Sequence, residues 1–253
     1  MNSTIKLDYV AFGVKYGSGH LYFDRCGQCL LDIERQCPGW GMVSIDVHTG
    51  RIENPGKSLI ANFNDKEFSF TSQKANKLNM EEIAREVSGV WKVVQANLAL
   101  EEFVRVGVRF SYLLPTASNE ESDALLKRSK MNIVLPPSLL EKDAYSIKNQ
   151  QIIVVLSKDD TDYRVELAAI TRHEGLNPSD LIITDPRLLS NNQKKFRIEK
   201  LKQMAEYSAN PMFAVHLNID CSMFGVESFS VEEFVLRHAA LVKEDFLPLL
   251  MKL

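Results

Sequence analysis

The sequence predicts an α+β fold, with antiparallel, meander-rich sheets in two halves of the chain and helices packed on the core faces of those sheets. Segments in which apolar and polar residues alternate indicate strands in both halves, and segments with apolar residues three and four apart indicate helices. The 253 residues are 45% apolar and 25% charged, which is typical of a chain that buries an ordinary core. Nothing in the pattern indicates long parallel crossovers.

The first half opens with a predicted strand and a predicted helix. Residues 7–16 are apolar, β-branched and aromatic, and a Gly-Ser-Gly turn follows them. The period then becomes helical over residues 19–37, with a predicted buried stripe of Phe23, Cys26, Leu30, Ile33 and Cys37. Pro38 and Gly39 end this helix.

Residues 40–73 alternate and contain three turn signals, which predicts an antiparallel meander of two or three strands. The next helix is predicted over residues 80–98, with Asn79 as its N-cap. A strand over 102–114 follows it. Its core face is predicted to carry Val104, Val106, Val108, Phe110 and Tyr112, and its opposite face Arg105, Gly107, Arg109 and Ser111.

The polar segment 115–123 suggests a boundary between halves 1–115 and 116–253, which can also form one continuous domain. The second half is predicted to contain a short helix at 123–130, paired strands at 151–157 and 163–171, a basic helix at 191–209 and a strand at 212–222. The last helix opens at the N-cap Ser230, with Phe229 and Phe234 placed for a hydrophobic staple. His238 on this helix is expected to be a hydrogen-bonded histidine at the edge of the core.

Composition narrows the class of protein. No apolar run approaches the roughly 18 residues of a membrane span, and the first residues lack the pattern of a signal peptide, so we expect a cytoplasmic protein without a membrane. A net charge of −3 argues against a protein that coats nucleic acid. The common nucleotide-binding, hydrolase and metalloprotease motifs are missing from the sequence, so we expect no cofactor and no enzymatic activity.

Three of the four cysteines lie close together, and Cys26 and Cys29 form a Cys-x-x-Cys motif. Such a pair at a helix amino terminus can exchange disulfides. Here the motif lies within the predicted helix, so packing as small hydrophobic residues is favoured over redox chemistry. A zinc site is not expected, because a continuous helix separates Cys26 and Cys37 by roughly 16 Å.

Two blocks carry a resemblance to a known family. Arg105, Gly107 and Arg109 stand in an Arg-x-Gly-x-Arg-Phe strand, and Asn218 and Asp220 end a strand that precedes the carboxy-terminal helix. These blocks resemble a sporadically distributed family of uncharacterised bacterial proteins, whose first block ends in Tyr and whose second carries two aspartates. The resemblance implies a bacterial, cytoplasmic protein, and the patchy distribution suggests defence or toxin–antitoxin systems. Asn218 departs from that pattern, and no metal is expected there.

The candidate site is a polar sheet face. If the two strands of these blocks share a sheet, Arg105 and Arg109 lie near His216, Asn218 and Asp220, a set suited to an acidic partner or a phosphate. A solvated face with cross-strand ion pairs is at least as well favoured. A partner protein bound through a sheet face or edge is the first hypothesis, with the chain as adaptor, antitoxin or regulator. Nucleic-acid or nucleotide binding, using this face and the basic residues Lys194, Lys195 and Arg197, is the second, and an enzyme using Cys26 and Cys29 or the 216–220 strand is the third.

Overall fold

A computed structural model describes residues 4–45, 48–129, 131, 151–172 and 211–248. Its nine described strands form one sheet in the order β2-β3-β4-β5-β1-β6-β9-β8-β7. All neighbouring strands are antiparallel, which confirms the α+β fold class. The strands are β1 Lys6–Tyr16, β2 Gly41–Ile45, β3 Gly50–Asn54, β4 Leu59–Phe63, β5 Glu67–Ser72, β6 Phe103–Thr116, β7 Gln151–Lys158, β8 Thr161–Arg172 and β9 Met212–Val226.

The helices of the described residues pack on one face of this sheet. They are α1 Tyr22–Gln36, α2 Met80–Leu98, α3 Asn119–Arg128 and α4 Val231–Leu241, with a 3₁₀ turn at Ala75–Lys77 and a π turn at Val242–Phe246. The placement of α1, α2 and α4 follows from aromatic contacts with strand residues on the same side: Tyr22 with Phe63, Trp91 with Phe68, and Phe234 with Phe12. Leu126 of α3 belongs to the same buried cluster. We call this side the core face of the sheet.

Aromatic residues form the centre of the core between the sheet and the helices. The Trp91 ring lies 5.3 Å from the ring of Phe68 and 5.6 Å from that of Phe103, measured between centroids. Phe229 contacts Phe12, Trp91 and Phe103, so the loop before α4 is packed into the core. Each such buried aromatic side chain contributes about 2–3 kcal/mol to folding.

Helix α2 spans the residues predicted for it, and its start is determined by a local cap. The side chain of Asn79 accepts a hydrogen bond from the Glu82 backbone N–H at 2.7 Å. Ser230 caps α4 through the Glu233 backbone N–H in the same way. Caps of this kind satisfy helix N–H groups that have no partner within the helix, and the sequence alone reveals them.

Two of the predicted core positions are exposed, and a third, Cys37, is only partly buried and lies just past the end of α1. Phe23 is exposed, and Tyr22 takes its place in the buried stripe of α1 by packing its ring edge-on to Phe63. Val104 is also exposed, because the register between β1 and β6 shifts between the pairs Lys15–Arg105 and Tyr16–Phe103, which leaves Val104 as an extra residue. A bulge of this kind turns Phe103 to the core face in its place.

The meander has four strands, β2 to β5, where the sequence predicted two or three. The strand predicted from residue 212 also runs four residues past its expected end at Ser222, to Val226. Segment 115–123 contains the end of β6 and the start of α3, capped by Ser118. Strands from both sides of this segment join the one sheet, with β6 next to β9.

Some predicted elements lie outside the described residues. These include the whole of the basic helix predicted at 191–209, with Lys194, Lys195 and Arg197. Among the helices that are described, none is both long enough and apolar enough to cross a membrane.

Candidate binding surface on the polar face of the sheet

The side of the sheet opposite the core face carries mostly polar or small residues on β1, β6 and β9, and we call it the polar face. The strand registers place Gly107 between Gly13 and Ser222, and Arg109 between Ala11 and Asp220. The side chains of this face are Tyr9, Ala11, Gly13 and Lys15 on β1, Arg105, Gly107, Arg109 and Ser111 on β6, and His216, Asn218, Asp220 and Ser222 on β9. The residues expected on β6 and β9 therefore share one surface.

Asp220 is the centre of a cross-strand ion-pair cluster. One carboxylate oxygen, Oδ1, accepts a hydrogen bond from Nη2 of Arg105, and the other, Oδ2, accepts one from Nη2 of Arg109, each at 2.8 Å. Nη2 of Arg105 also donates to Oγ of Ser222 at 2.8 Å. We call Arg105 and Arg109 the arginine pair. A charge-assisted bond on each side holds both guanidinium groups in defined positions.

Gly107 explains the spacing of the arginine pair. Arg105 stands opposite Phe224 in the strand register, two residues along β9 from Ser222 and four from Asp220. Its side chain reaches Asp220 by lying over the backbone of Gly107, where a methyl group would come within 3.2 Å of Nη2 and 3.3 Å of Cζ. A side chain at position 107 would require the guanidinium group to shift by a few tenths of an ångström, so the glycine of the Arg-x-Gly-x-Arg pattern has a steric reason here.

The cluster is only partly neutralised. Two guanidinium groups and one carboxylate carry a formal net charge of +1. Partial burial acts to lower the pKa of Arg109, but the hydrogen bond and the charge of Asp220, together with Tyr9, outweigh it and raise that pKa above its ordinary value. Both hydrogen bonds that Arg105 makes to described residues leave from Nη2, so among these residues its Nη1 and Nε hydrogens have no acceptor. The cluster can therefore bind a further anionic group.

The polar face has a buried end and an exposed end. Ser111 and Leu113 are buried at one end. At the other, Lys15 is exposed, the side chains of Arg105 and Arg109 are 31% and 44% exposed, and Phe224 is 58% exposed. We call these four residues the open end. An aromatic side chain beside ordered arginines is a composition that is typical of protein-binding hot spots.

His216 lies at the buried end. Its Nε2 atom is 2.8 Å from Oγ of Ser111, a distance at which a base can activate a nucleophile. Ser111 is fully buried, however, so its hydroxyl group has no access to a substrate. Asn218, opposite Ser111 in the register, has a buried Oδ1 atom without a hydrogen-bond partner among the described residues. The geometry of this end favours structural roles for Ser111 and His216 over hydrolysis.

The Cys-x-x-Cys motif lies inside α1 and faces the core. Cys26 and Cys29 are buried, and a methyl group at Gly50 on β3 would come within 2.9 Å of Sγ of Cys26. Burial raises the pKa of the Cys29 thiol, and the neighbouring Cys26 and Asp32 raise it further. Thiol–disulfide exchange requires a thiolate that a partner can reach. Both the packing and the direction of the pKa shift favour structural cysteines.

A cleft of about 740 Å³ adjoins the open end. Phe224 and Met223 line it, and so do Asp159, Asp160 and Asp162 from the β7–β8 hairpin. Asp162 stands opposite Ser222 in the register between β8 and β9, so this acidic rim lies next to the arginine pair. In the described part of the chain, no group of three or more His, Cys, Asp or Glu side chains is arranged to hold a metal ion.

No protein-family model matches this chain, and a search of the curated proteins finds no match either. The functional argument therefore depends on the site itself. Sequence reasoning missed Lys15 and Phe224 as members of this surface. Phe224 continues the alternation Asp220, Ser222, Phe224 on the polar face of β9, so a longer predicted strand would have found it. Lys15 joins the site only through the pairing of β1 with β6, for which the sequence contains no local signal.

Proposed function

We propose that this protein is a non-enzymatic binding protein, an adaptor, antitoxin or regulator, that engages a partner protein through the open end of its polar face. The observation that carries the proposal is the arginine pair, held on Asp220 beside the exposed Phe224. Arginine and aromatic side chains dominate the energetics of protein interfaces. Guanidinium groups that are already ordered lose less conformational entropy when a partner binds.

The surroundings of the arginine pair favour a protein over a nucleic acid. A nucleic-acid backbone needs a continuous positive track, since each phosphate carries a charge. Here the acidic rim of Asp159, Asp160 and Asp162 adjoins the open end and would repel a polyanion that extends past Phe224. A folded partner can instead place a single acidic group on the arginine pair. Nucleic-acid or nucleotide-phosphate binding thus remains the second hypothesis, with less support.

Comparative co-purification tests the proposal. The full chain, its Arg105→Ala/Arg109→Ala variant and an Arg51→Ala control are each used to capture proteins from an extract of the native cell, and the captured proteins are quantified by mass spectrometry. Arg51 is a matched control, because its side chain is 42% exposed and it forms an ion pair with Glu53. We expect a defined set of proteins to be retained by the wild type and by Arg51→Ala and lost from the double variant.

If the double variant kept every association of the wild type, the polar face would not be the binding surface. A second measurement separates the nucleic-acid hypothesis. Binding to mixed oligonucleotides is followed as the salt concentration rises, because phosphate contacts give a steep dependence on salt. For a protein-binding surface, we expect weak oligonucleotide binding that the double variant leaves unchanged.

A further inference from the structure

We infer that the arginine pair recognises a single carboxylate, from an acidic side chain of the partner whose neighbouring apolar residue packs on Phe224. This inference rests on the proposed function and names the chemistry of the partner segment. Three features of the open end lead to it: the exposure of Arg105 above small residues, the charge of the surface and the exposed aromatic ring.

The first feature is steric. Gly13 on β1 and Gly107 on β6 stand opposite each other in the register, and the next residue across is Ser222 on β9. At this level of the sheet, therefore, the guanidinium group of Arg105 lies over backbone and small side chains. The Arg105 side chain is nevertheless 31% exposed, so an approaching group can reach it from solvent.

The second feature is charge. The open end and Asp220 carry a formal net charge of +2, from Lys15 and the arginine pair against one carboxylate. The three carboxylates of the acidic rim next to it bring the wider surface to a formal charge of −1. This surface repels a phosphate group with nearly two negative charges more strongly than a carboxylate, and the Asp220 side chain, only 13% exposed, adds to that repulsion. A carboxylate bound by the remaining donors of Arg105 satisfies both the charge and the planar geometry of the guanidinium group.

The third feature is the aromatic side chain. Phe224 stands directly opposite Arg105 in the register between β6 and β9, and it is mostly exposed. An apolar residue next to the acidic residue of the partner would cover this ring and exclude water from the charged contact. Removing water strengthens the ion pair, because a lower local dielectric constant increases the Coulomb attraction. The predicted partner segment thus combines an acidic and an apolar residue at close spacing.

Selection from a phage library of random dodecapeptides, with the full-length protein as target, tests this inference while the partner itself is still unidentified. We expect the enriched peptides to contain Asp or Glu next to an apolar residue more often than the unselected library. Replacing that acidic residue by its amide should weaken binding about tenfold, as should the Arg105→Ala/Arg109→Ala change in the protein. Phe224→Ala should weaken binding as well, whereas Arg51→Ala should leave it unchanged.

Three results of the selection would overturn the inference: no enrichment of any peptide, enriched peptides that lack an acidic residue, or equal binding of the acid and amide forms of a selected peptide. It would also fail if inorganic phosphate displaced the bound peptides at a concentration well below that at which acetate does. These results are distinguishable from failure of the proposed function. If co-purified proteins depend on the arginine pair but the selected peptides bind equally as acid and amide, only the carboxylate assignment fails. If neither depends on the arginine pair, both proposals fail.

Discussion

Asp220 holds the arginine pair together, because its two carboxylate oxygens bond Arg105 and Arg109 separately. Without its carboxylate, two guanidinium groups would remain close together with no opposite charge between them. Exposed ion pairs contribute little to stability, but a partly buried carboxylate with two charged partners contributes more. The side chain of Asp220 is 13% exposed, so it belongs to the second group.

We expect the Asp220→Ala change to lower the free energy of unfolding by about 1–2 kcal/mol, through loss of these two bonds and repulsion between the arginines. Urea denaturation monitored by circular dichroism measures this change. Glu53→Ala is the matched control, since Glu53 also lies on the sheet, pairs with one arginine and is 26% exposed. The control should change stability by less than about 0.5 kcal/mol. Equal effects of the two changes would contradict a special role for Asp220.

His238 is the second residue whose surroundings have a measurable consequence. It is 1% exposed, its Nδ1 atom lies 3.4 Å from the Tyr163 hydroxyl, and its Nε2 atom has no hydrogen-bond partner among the described residues. Burial, helped by the positive charge of Arg237, lowers the pKa of His238 from 6.5 to about 4. The unfolded chain therefore takes up this proton at a higher pH than the folded protein does.

Above pH 6.5 His238 is neutral in both the folded and the unfolded protein, so it does not lower the stability. As the pH falls from 6.5 towards 4, the unfolded chain binds the proton first, and the folded state loses stability relative to it. Between neutral pH and pH 4.5 we expect the wild type to lose about 2 kcal/mol of unfolding free energy from this residue. Glutamine has a similar volume and does not titrate. The His238→Gln variant should therefore lose about 2 kcal/mol less unfolding free energy than the wild type over the same pH range. Denaturant titrations at both pH values measure the difference, and parallel pH profiles of the two proteins would contradict the prediction.

At the scale of elements, the edge strand β2 shows how the fold handles exposed apolar residues. Met42, Val43 and Ile45 are all exposed on this strand. Two features limit pairing with another chain: the register with β3 shifts between Met42 and Ser44, and the carboxylate of Glu34 on α1 accepts a hydrogen bond from the Met42 backbone N–H at 2.6 Å. Bulges and charged groups at an edge are known protections against aggregation.

Glu34→Ala should therefore increase aggregation, because it frees the Met42 N–H for pairing with another β2 strand. Light scattering during prolonged incubation below the unfolding temperature measures this. Glu34→Gln is the matched control, since its side-chain oxygen still accepts the hydrogen bond while the charge is lost. We expect faster aggregation for the alanine variant and wild-type behaviour for the glutamine variant. If both variants aggregated equally fast, the loss of the negative charge at position 34, and not the loss of the hydrogen bond, would explain the aggregation.

At the scale of the whole molecule, the sheet depends on contacts between residues that are far apart in the chain. β6 lies between β1, from the beginning of the chain, and β9, which follows it by about a hundred residues. The pairing of β6 with β9 extends from Phe103 to Thr116 and also brings Asp220 to the arginine pair. Pairings over such distances close long loops, which costs conformational entropy before the contacts form.

A fragment of residues 1–115 would expose the edge of β6, with its buried residues, to solvent. We expect this fragment to aggregate or to unfold without a cooperative transition, because it lacks β9, β8 and the α4 residues that cover Phe12. Thermal unfolding followed by circular dichroism, with the full chain as the reference, measures this. A soluble fragment with a sharp transition would instead favour two separately folding halves.

Local patterns were sufficient to predict the elements whose signals lie within a few residues of each other. Asn79 and the spacing of apolar residues predicted the bounds of α2, Ser230 predicted the start of α4, and the alternation after residue 212 predicted which side chains of β9 share a face. These signals suffice because helix caps and side-chain periodicity depend on neighbouring residues alone. A second alternation, over residues 102–114, predicted that Arg105 and Arg109 share one face of β6.

Only the tertiary structure decided how these elements combine. The exposure of Phe23 depends on the fit of Tyr22 against Phe63, and that of Val104 on a register shift against β1. The contact of Asp220 with both arginines requires β9 to pair with β6, and the position of Lys15 requires β1 on the other side. A residue's own pattern contains no information about which distant strand will pair with it, because that choice depends on the packing of the whole core.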